Sequence, residues 1–308
     1  MWVKVLGSAA GGGYPQWNCN HPNSRRARAG DLQAPQRTQS SIAVSADGVD
    51  WVLFNASPDL RQQINDNDVL HPRHALRASP IKAVVLTNAD VDHVAGLLNL
   101  RESQAFNLYA TQRVLSVLAA NSIFNVLNPK FVARLAMTLD TECALARADG
   151  TPLGFSVVPF SVPGKVALWL EDVNRGANFG TVLEDTIALE VRSQGRTRFF
   201  YIPGCANMTP ALAARLRAAP LAFFDGTLFT DDEMIRDGVG VKTGARMGHM
   251  SVSGSEGTLA AFADLGVARR VFIHINTTNP VLIADTPERA TVEVAGWEVA
   301  YDGMTLEV

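Results

Sequence analysis

LTNADVDHVAGL, residues 86–97, places three potential ligands, Asp90, Asp92 and His93, within four positions. Leading into it, IKAVVLT (81–87) is a continuous, β-branched run, the pattern of a strand buried on both faces. Its end opens HVAGLLNLRES (93–103), which has helical spacing. In open α/β sheets the loops at strand ends converge on one crevice, so function gathers there. Along an extended segment Asp90 and Asp92 project the same way, and Asp92 and His93 reach one ion if the chain turns into its helix there. The plainer reading makes Asp92 only the N-cap of that helix, an arrangement worth ~1 kcal/mol.

The rest of the chain extends the same pattern. MWVKVLGSA reads as an opening strand that breaks into Gly11-Gly12-Gly13. Residues 15–39 are polar, basic and rich in turn formers, and read as a long loop. Strands follow at SSIAVSA and DWVLFNAS, then a helix at SPDLRQQI with Ser57 as N-cap and Pro58 at the first helical position. Residues 105–150 are rich in Ala and Leu and are expected to be helical. GFSVVPFSVP, TIALEVRS and TRFFYIPG read as strands, and PALAARLRAAP and SEGTLAAFADLG as helices. LAFFDGTL is a strand ending at Asp225, RRVFIHINTTNP one ending at His274, and the tail WEVAYDGMTLEV a hairpin around Asp302-Gly303. Two batches of strands, each with helices and no internal repeat, suit a layered α/β sandwich better than an eight-fold barrel. No stretch rich in Pro, Gly or Ser separates domains, so residues 1–308 read as a single domain.

With 308 residues, 47% of them hydrophobic, the chain can bury a large core. A net charge of -3 argues against nucleic-acid and membrane-surface partners, and Arg25, Arg26 and Arg28 form only a short solvated run. Cys19, Cys143 and Cys205 are odd in number and far apart, so no disulfide framework is expected. No apolar run approaches the ~20 residues needed to span a bilayer. The start has no long apolar stretch of the signal-peptide kind, and the expected location is the cytoplasm.

Asp90, Asp92, His93, Asp225 and His274 all fall where strands are expected to end. Singly, each has an ordinary explanation: a cap, an Asp-Gly turn, a hydrogen-bonded core histidine. Brought together, the carboxylates would repel by about 4 kcal/mol per pair at an effective dielectric of about 20. They must then stay apart, take up protons or neutralise a cation. Histidine and carboxylate with little sulfur suit Zn, Mn or non-haem Fe, and two His with carboxylates and open positions is the arrangement of oxygen-activating Fe(II) sites.

VLGSAAGGGYPQWNCN, RTQSSIAVS, NASPDLRQQ, DVDHVAGLLNLRE, YIPG, DGTLFTDDEM, TGARMGHM and HINTTNP together resemble the PqqB family of pyrroloquinoline quinone (PQQ) biosynthesis, over essentially the whole chain. That resemblance implies the metallo-β-lactamase superfamily: an α/β, αββα four-layer sandwich of two mixed sheets flanked by helices, with metal at one edge. The superfamily motif His-x-His-x-Asp-His falls on Asn88, Asp90, Asp92 and His93, so the first two histidines are replaced. Asp225 resembles the bridging Asp and His274 the final His; the His expected between has no counterpart, since residues 94–248 contain none. The resemblance therefore implies one metal on Asp92, His93, Asp225 and His274, with Asp90 as an added oxygen ligand and catalytic group. His249 in GHMS resembles a histidine on the substrate side and takes an acid/base or orienting role. The PQWNCN loop of the family often holds a structural zinc; here Cys19 and His21 remain, Ser24 is a poor ligand, and His71 or His74 could contribute. That site is expected to be weak or lost, with the loop ordered instead by packing of Trp17.

The family implies Fe(II) as cofactor, with O2 and a cross-linked Glu-Tyr diamino acid derived from the peptide PqqA as reactants, the tyrosine ring being hydroxylated. Arg25, Arg37, Arg246 or Lys242 could receive substrate carboxylates, and Asn88 lies among the substrate-side candidates. Two other readings stand beside this one: a soluble carrier of PQQ or its precursor that assists transport to the periplasm, and a zinc-dependent hydrolase.

Overall fold

The computed structural model describes residues 1–308 apart from His74 and Ala177, so the zinc-ligand reading of His74 lies outside the described residues. In chain order its strands are β1 (Trp2–Gly7), β2 (Ser41–Ser45), β3 (Trp51–Phe54), β4 (Ile81–Val85), β5 (Phe106–Thr111), β6 (Val132–Met137) and β7 (Cys143–Ala146). There follow β8 (Pro152–Ser161), β9 (Ile187–Ser193), β10 (Arg196–Ile202), β11 (Ala222–Asp225), β12 (Arg270–Ile273), β13 (Trp297–Val299) and β14 (Thr305–Glu307). They form two seven-stranded sheets, ordered β14-β1-β2-β3-β4-β5-β6 and β13-β12-β11-β10-β9-β8-β7. Each sheet is mixed. The first is antiparallel from β14 to β3 and parallel from β3 to β6. The second is parallel from β13 to β10 and antiparallel from β10 to β7.

The sheets pack face to face over a core that includes Val3, Phe54, Val85, Leu189, Phe223 and Ile273. Phe54, Phe199, Tyr201 and Phe223 interlock at its centre with ring centroids 5.7–6.5 Å apart, edge and tilted contacts that aromatic quadrupoles favour. Helix Leu60–Asp66 and helix Gln112–Ala120 cover the outer face of the first sheet, and helices Pro210–Leu216 and Pro287–Val294 the outer face of the second. Four layers, αββα, result, as expected. Among the described residues no helix is long and apolar enough to cross a membrane.

Several local expectations are corrected. Residues 105–150 hold one helix of nine residues but also β5, β6 and β7. All six residues of β5 are buried and lie parallel between β4 and β6, so pairing and burial outweigh the helix propensity of Ala and Leu. The tail is not a hairpin. Trp297 pairs with Arg270 in one sheet while Leu306 pairs with Val3 in the other. The turn between crosses from sheet to sheet, pinned by the Asp302 carboxylate, which accepts hydrogen bonds from the backbone and hydroxyl of both Ser8 and Thr38.

Ser57 is not an N-cap: the helix begins at Leu60 after Asp59, and the Ser57 hydroxyl is buried without a partner among the described residues. Only Thr258–Ala261 of SEGTLAAFADLG is α-helical. The loop at 15–39 contains the helix Pro22–Arg28, and Trp17 is 85% exposed rather than packed. Order there comes from polar contacts: Arg28 donates to the carbonyls of Gln16 and Cys19, and Asn23 to that of Thr278.

Candidate metal centre

Three strand ends meet at one edge of the sandwich. Asp225 closes β11 and is in register with Ile273 of the parallel β12, so His274 follows directly beside it. β4 leads through Thr87, which is locked to Asn55 by hydrogen bonds of both its backbone N–H and its hydroxyl, into the short helix Val91–Val94. Asp90 holds the N-cap position of that helix without a side-chain cap, and Asp92 lies inside it, so the capping reading of Asp92 fails. Gly96 lets the helical segment settle on residues 56–57: its N–H reaches the Ala56 carbonyl at 2.9 Å, and a Cβ there would overlap the Ser57 carbonyl oxygen.

Asp92, His93 and His274 present one ligand atom each, all within 4.8 Å of one another; Asp225, His249 and His274 form a second such group. In the first, Asp92 Oδ2 lies 3.1 Å from His274 Nε2 and 3.9 Å from His93 Nε2. Asn88 Oδ1 accepts from the Asp90 N–H at 2.9 Å and faces His93 Nδ1 at 2.8 Å. An amide oxygen only accepts, so His93 carries its proton on Nδ1 and turns a bare Nε2 lone pair inward. That buried Nε2 has no hydrogen-bond partner among the described residues. Burial, foremost, pulls the His93 pKa down to about 4, so the ring is neutral and the lone pair is available.

His274 presents a matching conflict. Its backbone is left-handed at φ 59, a strained conformation for a non-glycine residue. The Thr227 hydroxyl lies 2.6 Å from Asp225 Oδ1 and 2.9 Å from His274 Nδ1. Its one proton goes to the carboxylate, so it accepts from His274 Nδ1–H. The Nε2 then faces the Asp92 carboxylate at 3.1 Å and needs a proton or a cation between. Burial works against protonation of His274, but Asp92, Asp225 and Asp90 raise its pKa. Burial alone would raise Asp92 likewise, yet the His93 and His274 rings hold it far below the usual carboxylate range. An orphaned lone pair, a second imidazole nitrogen and a carboxylate oxygen facing one another fit a divalent cation.

Asp225 is differently committed. Its Oδ1 accepts from the Thr227 N–H and hydroxyl, and its Oδ2 from the Cys205 N–H at 2.9 Å and His249 Nδ1 at 2.6 Å. Burial opposes its ionisation, but the His249 charge and hydrogen bond bring its pKa below the usual value. His249 stacks on His274 with centroids 5.2 Å apart. Asp90 stands outside both groups and instead accepts the Leu168 N–H at 3.0 Å. Burial, and then the Asp92 charge, raise its pKa.

The cavity over these groups measures about 350 Å³ and is lined also by Gln16, Lys165, Met234, Lys242 and Met247. Arg246 is engaged elsewhere: both of its terminal nitrogens hold Glu171, at 3.1 and 2.8 Å, and its guanidinium stacks over Phe179. Asn88 lines the cavity, but its amide oxygen is committed to orienting His93. Cys19 and His21 build no cation cluster with other ligands among the described residues. His21 caps the helix Pro22–Arg28 through Nδ1 and turns Nε2 to Asp237 at 3.2 Å, while His71 bonds the carbonyls of Ile64 and Asn65. Sequence reasoning missed Thr227, whose only signal is its place two residues past a strand-end Asp, and the membership of His249 in a ligand group.

The beta-lactamase superfamily domain matches residues 50–275. Coenzyme PQQ synthesis protein B of Gluconacetobacter diazotrophicus is 57% identical over 98% of both chains, and that of Xanthomonas campestris 56% over the full length of both. The chain belongs to the coenzyme PQQ synthesis protein B family. The Zn(2+)-bound PqqB of Methylobacterium extorquens superposes with a TM-score of 0.93, at 51% identity and full coverage of both chains. A diphosphatase of the PhnP family, 19% identical with a TM-score of 0.69 over 96% of its chain, shares the fold. The PQQ synthesis protein B family thus has the metallo-β-lactamase fold seen here, including its edge where β4, β11 and β12 end.

Proposed function

We propose that this protein is a metal-dependent enzyme of PQQ biosynthesis that hydroxylates the tyrosine ring of the cross-linked Glu-Tyr intermediate derived from PqqA, with Fe(II) held by Asp92, His93 and His274. The relatives' names support the pathway. The observation that carries the metal is the buried His93 Nε2, without a hydrogen-bond partner among the described residues, beside Asp92 and His274. Fe(II) at this position would supply the activation of O2 that ring hydroxylation needs, one oxygen atom entering the ring and the other leaving as water with two protons and two electrons from an added external reductant.

The chain's own groups supply the rest. Asn88 keeps His93 in the ligating tautomer, and Thr227 does the same for His274. Asp225 holds His249 through Nδ1, leaving Nε2 of a pocket-lining ring to exchange a proton with the phenol oxygen of the substrate. Asp90 acts here as a tie between the metal loop and the segment at Leu168, not as a ligand.

A zinc-dependent hydrolase is the second reading, favoured by the zinc in the Methylobacterium relative. The four donors already on Asp225 weigh against a bridging carboxylate for a metal pair. The test is turnover of the Glu-Tyr substrate by protein of known metal content, with an added reductant such as ascorbate, with and without O2. Hydroxylation that needs both iron and O2, and is lost in Asp92→Ala and His274→Ala, is expected. Full activity after metal stripping would overturn the reading, hydrolysis without O2 by zinc-loaded protein would replace it, and PQQ binding without turnover, unaffected by metal removal, would leave a carrier.

A further inference from the structure

The pocket carries two cations, and they differ in their company. Lys165 Nζ donates to Glu171 at 2.7 Å, and Arg246 clamps the same carboxylate at two points. Glu171 is thereby held down to a pKa of about 2, by Arg246 foremost. That acid saturates Lys165 and Arg246 together. Lys242 lines the same cavity, half-buried, and has no hydrogen-bond or ion-pair partner among the described residues.

Its backbone is held in place. The N–H groups of Val239 and Gly240 bond the Met234 carbonyl at 3.0 and 3.1 Å, and Gly244 N–H bonds Asp231 O at 2.9 Å. Thr243, next in sequence, caps the helix Gly244–Met247. A half-buried lysine at a cavity wall with no acid of the described residues beside it leaves its ammonium available to pair with an anionic group of a ligand. The other basic candidates are elsewhere: Arg25 bonds the Asn20 carbonyl at the surface, and Arg37 packs near Asp302 and Tyr301.

We propose that Lys242 receives a carboxylate of the ligand and selects for polycarboxylate substrates at this pocket. The inference rests on the pocket being the substrate site, and deepens the function proposed above. The charge layout supports it: Asp90, Asp92, His93 and His274 line the pocket at the metal group, and Lys242 is its one cation without a protein acid among the described residues. A ligand with its reacting ring at the metal group and a carboxylate at Lys242 meets complementary charge at both places.

The test reads binding, not turnover, so it is separable from the hydroxylase reading. PQQ itself, a tricarboxylate, serves as probe, titrated onto metal-loaded protein; catechol, which lacks a carboxylate, serves as control. K242M is expected to weaken PQQ binding about 10- to 100-fold, K242R to retain most of the affinity, and catechol binding and metal content to stay unchanged. In the wild type the PQQ affinity falls as salt rises. Equal PQQ affinity in K242M and wild type, no PQQ binding by the wild type, or salt-independent binding would each overturn the proposal. If K242M fails to fold, K242Q and the wild-type salt dependence decide it alone.

Discussion

At His93 a single hydrogen bond decides where a lone pair points. Asn88 stands where the superfamily motif has its first histidine, and its amide oxygen fixes the His93 tautomer instead. Asn88→Ala is expected to weaken metal affinity about 10- to 100-fold while leaving the fold intact, measured by competition against a chelator. A second residue-scale effect lies behind the pocket. Glu233 is fully buried, accepts from the Phe229 N–H and the Thr278 hydroxyl, and burial pushes its pKa up to about 7. A carboxyl with a raised folded pKa keeps its proton while the unfolded chain loses one. Stability from this group is therefore full below pH ~4.5 and falls as pH rises toward 7, by about 3 kcal/mol in all. Glu233→Gln, which cannot ionise, should show a smaller drop in urea midpoint between pH 5 and 8 than the wild type. An equal drop in both would refute it.

Among the elements, the helical segment after β4 shows how tightly the metal loop is packed. Its residues Asp92 and His93 reach the site only because Gly96 lies against the backbone of residues 56–57. Gly96→Ala gains helix propensity of up to ~1 kcal/mol, but the neighbour is a carbonyl that cannot step aside. A net loss of about 2 kcal/mol or more is expected in denaturant unfolding, with weaker metal binding alongside. The strand IKAVVLT and the helical run after it were legible from hydrophobic pattern alone. The segment 105–150 was not, because VARLAM and CALA carry no alternation and become strands only through their partners. The tail departs from its local pattern for the opposite reason: Asp302-Gly303 is a good local turn signal, but the strands on either side pair in different sheets.

For the whole molecule, the site exists because both sheets end at one edge. β4 belongs to the first sheet and β11 and β12 to the second, and an isolated bridge from Ala9 to Ile275 ties the two beside the pocket. A metal held across that seam binds only the folded state. At 100 times its dissociation constant it should add about 2.7 kcal/mol of stability and raise Tm by several degrees. His93→Ala should abolish the rise, as read by calorimetry with and without metal. An undiminished rise in the variant would place the ion elsewhere.

The layered α/β class and most strands are written in the chain's order of residues, since they follow from periodicity and apolar runs along it. That order also singled out Asp90, Asp92, His93, Asp225 and His274, because strand ends followed by ligand-type side chains are visible in order. The tertiary structure alone decided which of them meet. Asp92, His93 and His274 come together, Asp90 turns away to Leu168, and Asp225 turns to His249 and Thr227. Short-range bonds, Asn88 to His93 and Thr227 to Asp225, orient two of these side chains. But the contacts that join the groups span about 20 to 180 positions, and no local pattern encodes which distant partner a side chain will meet.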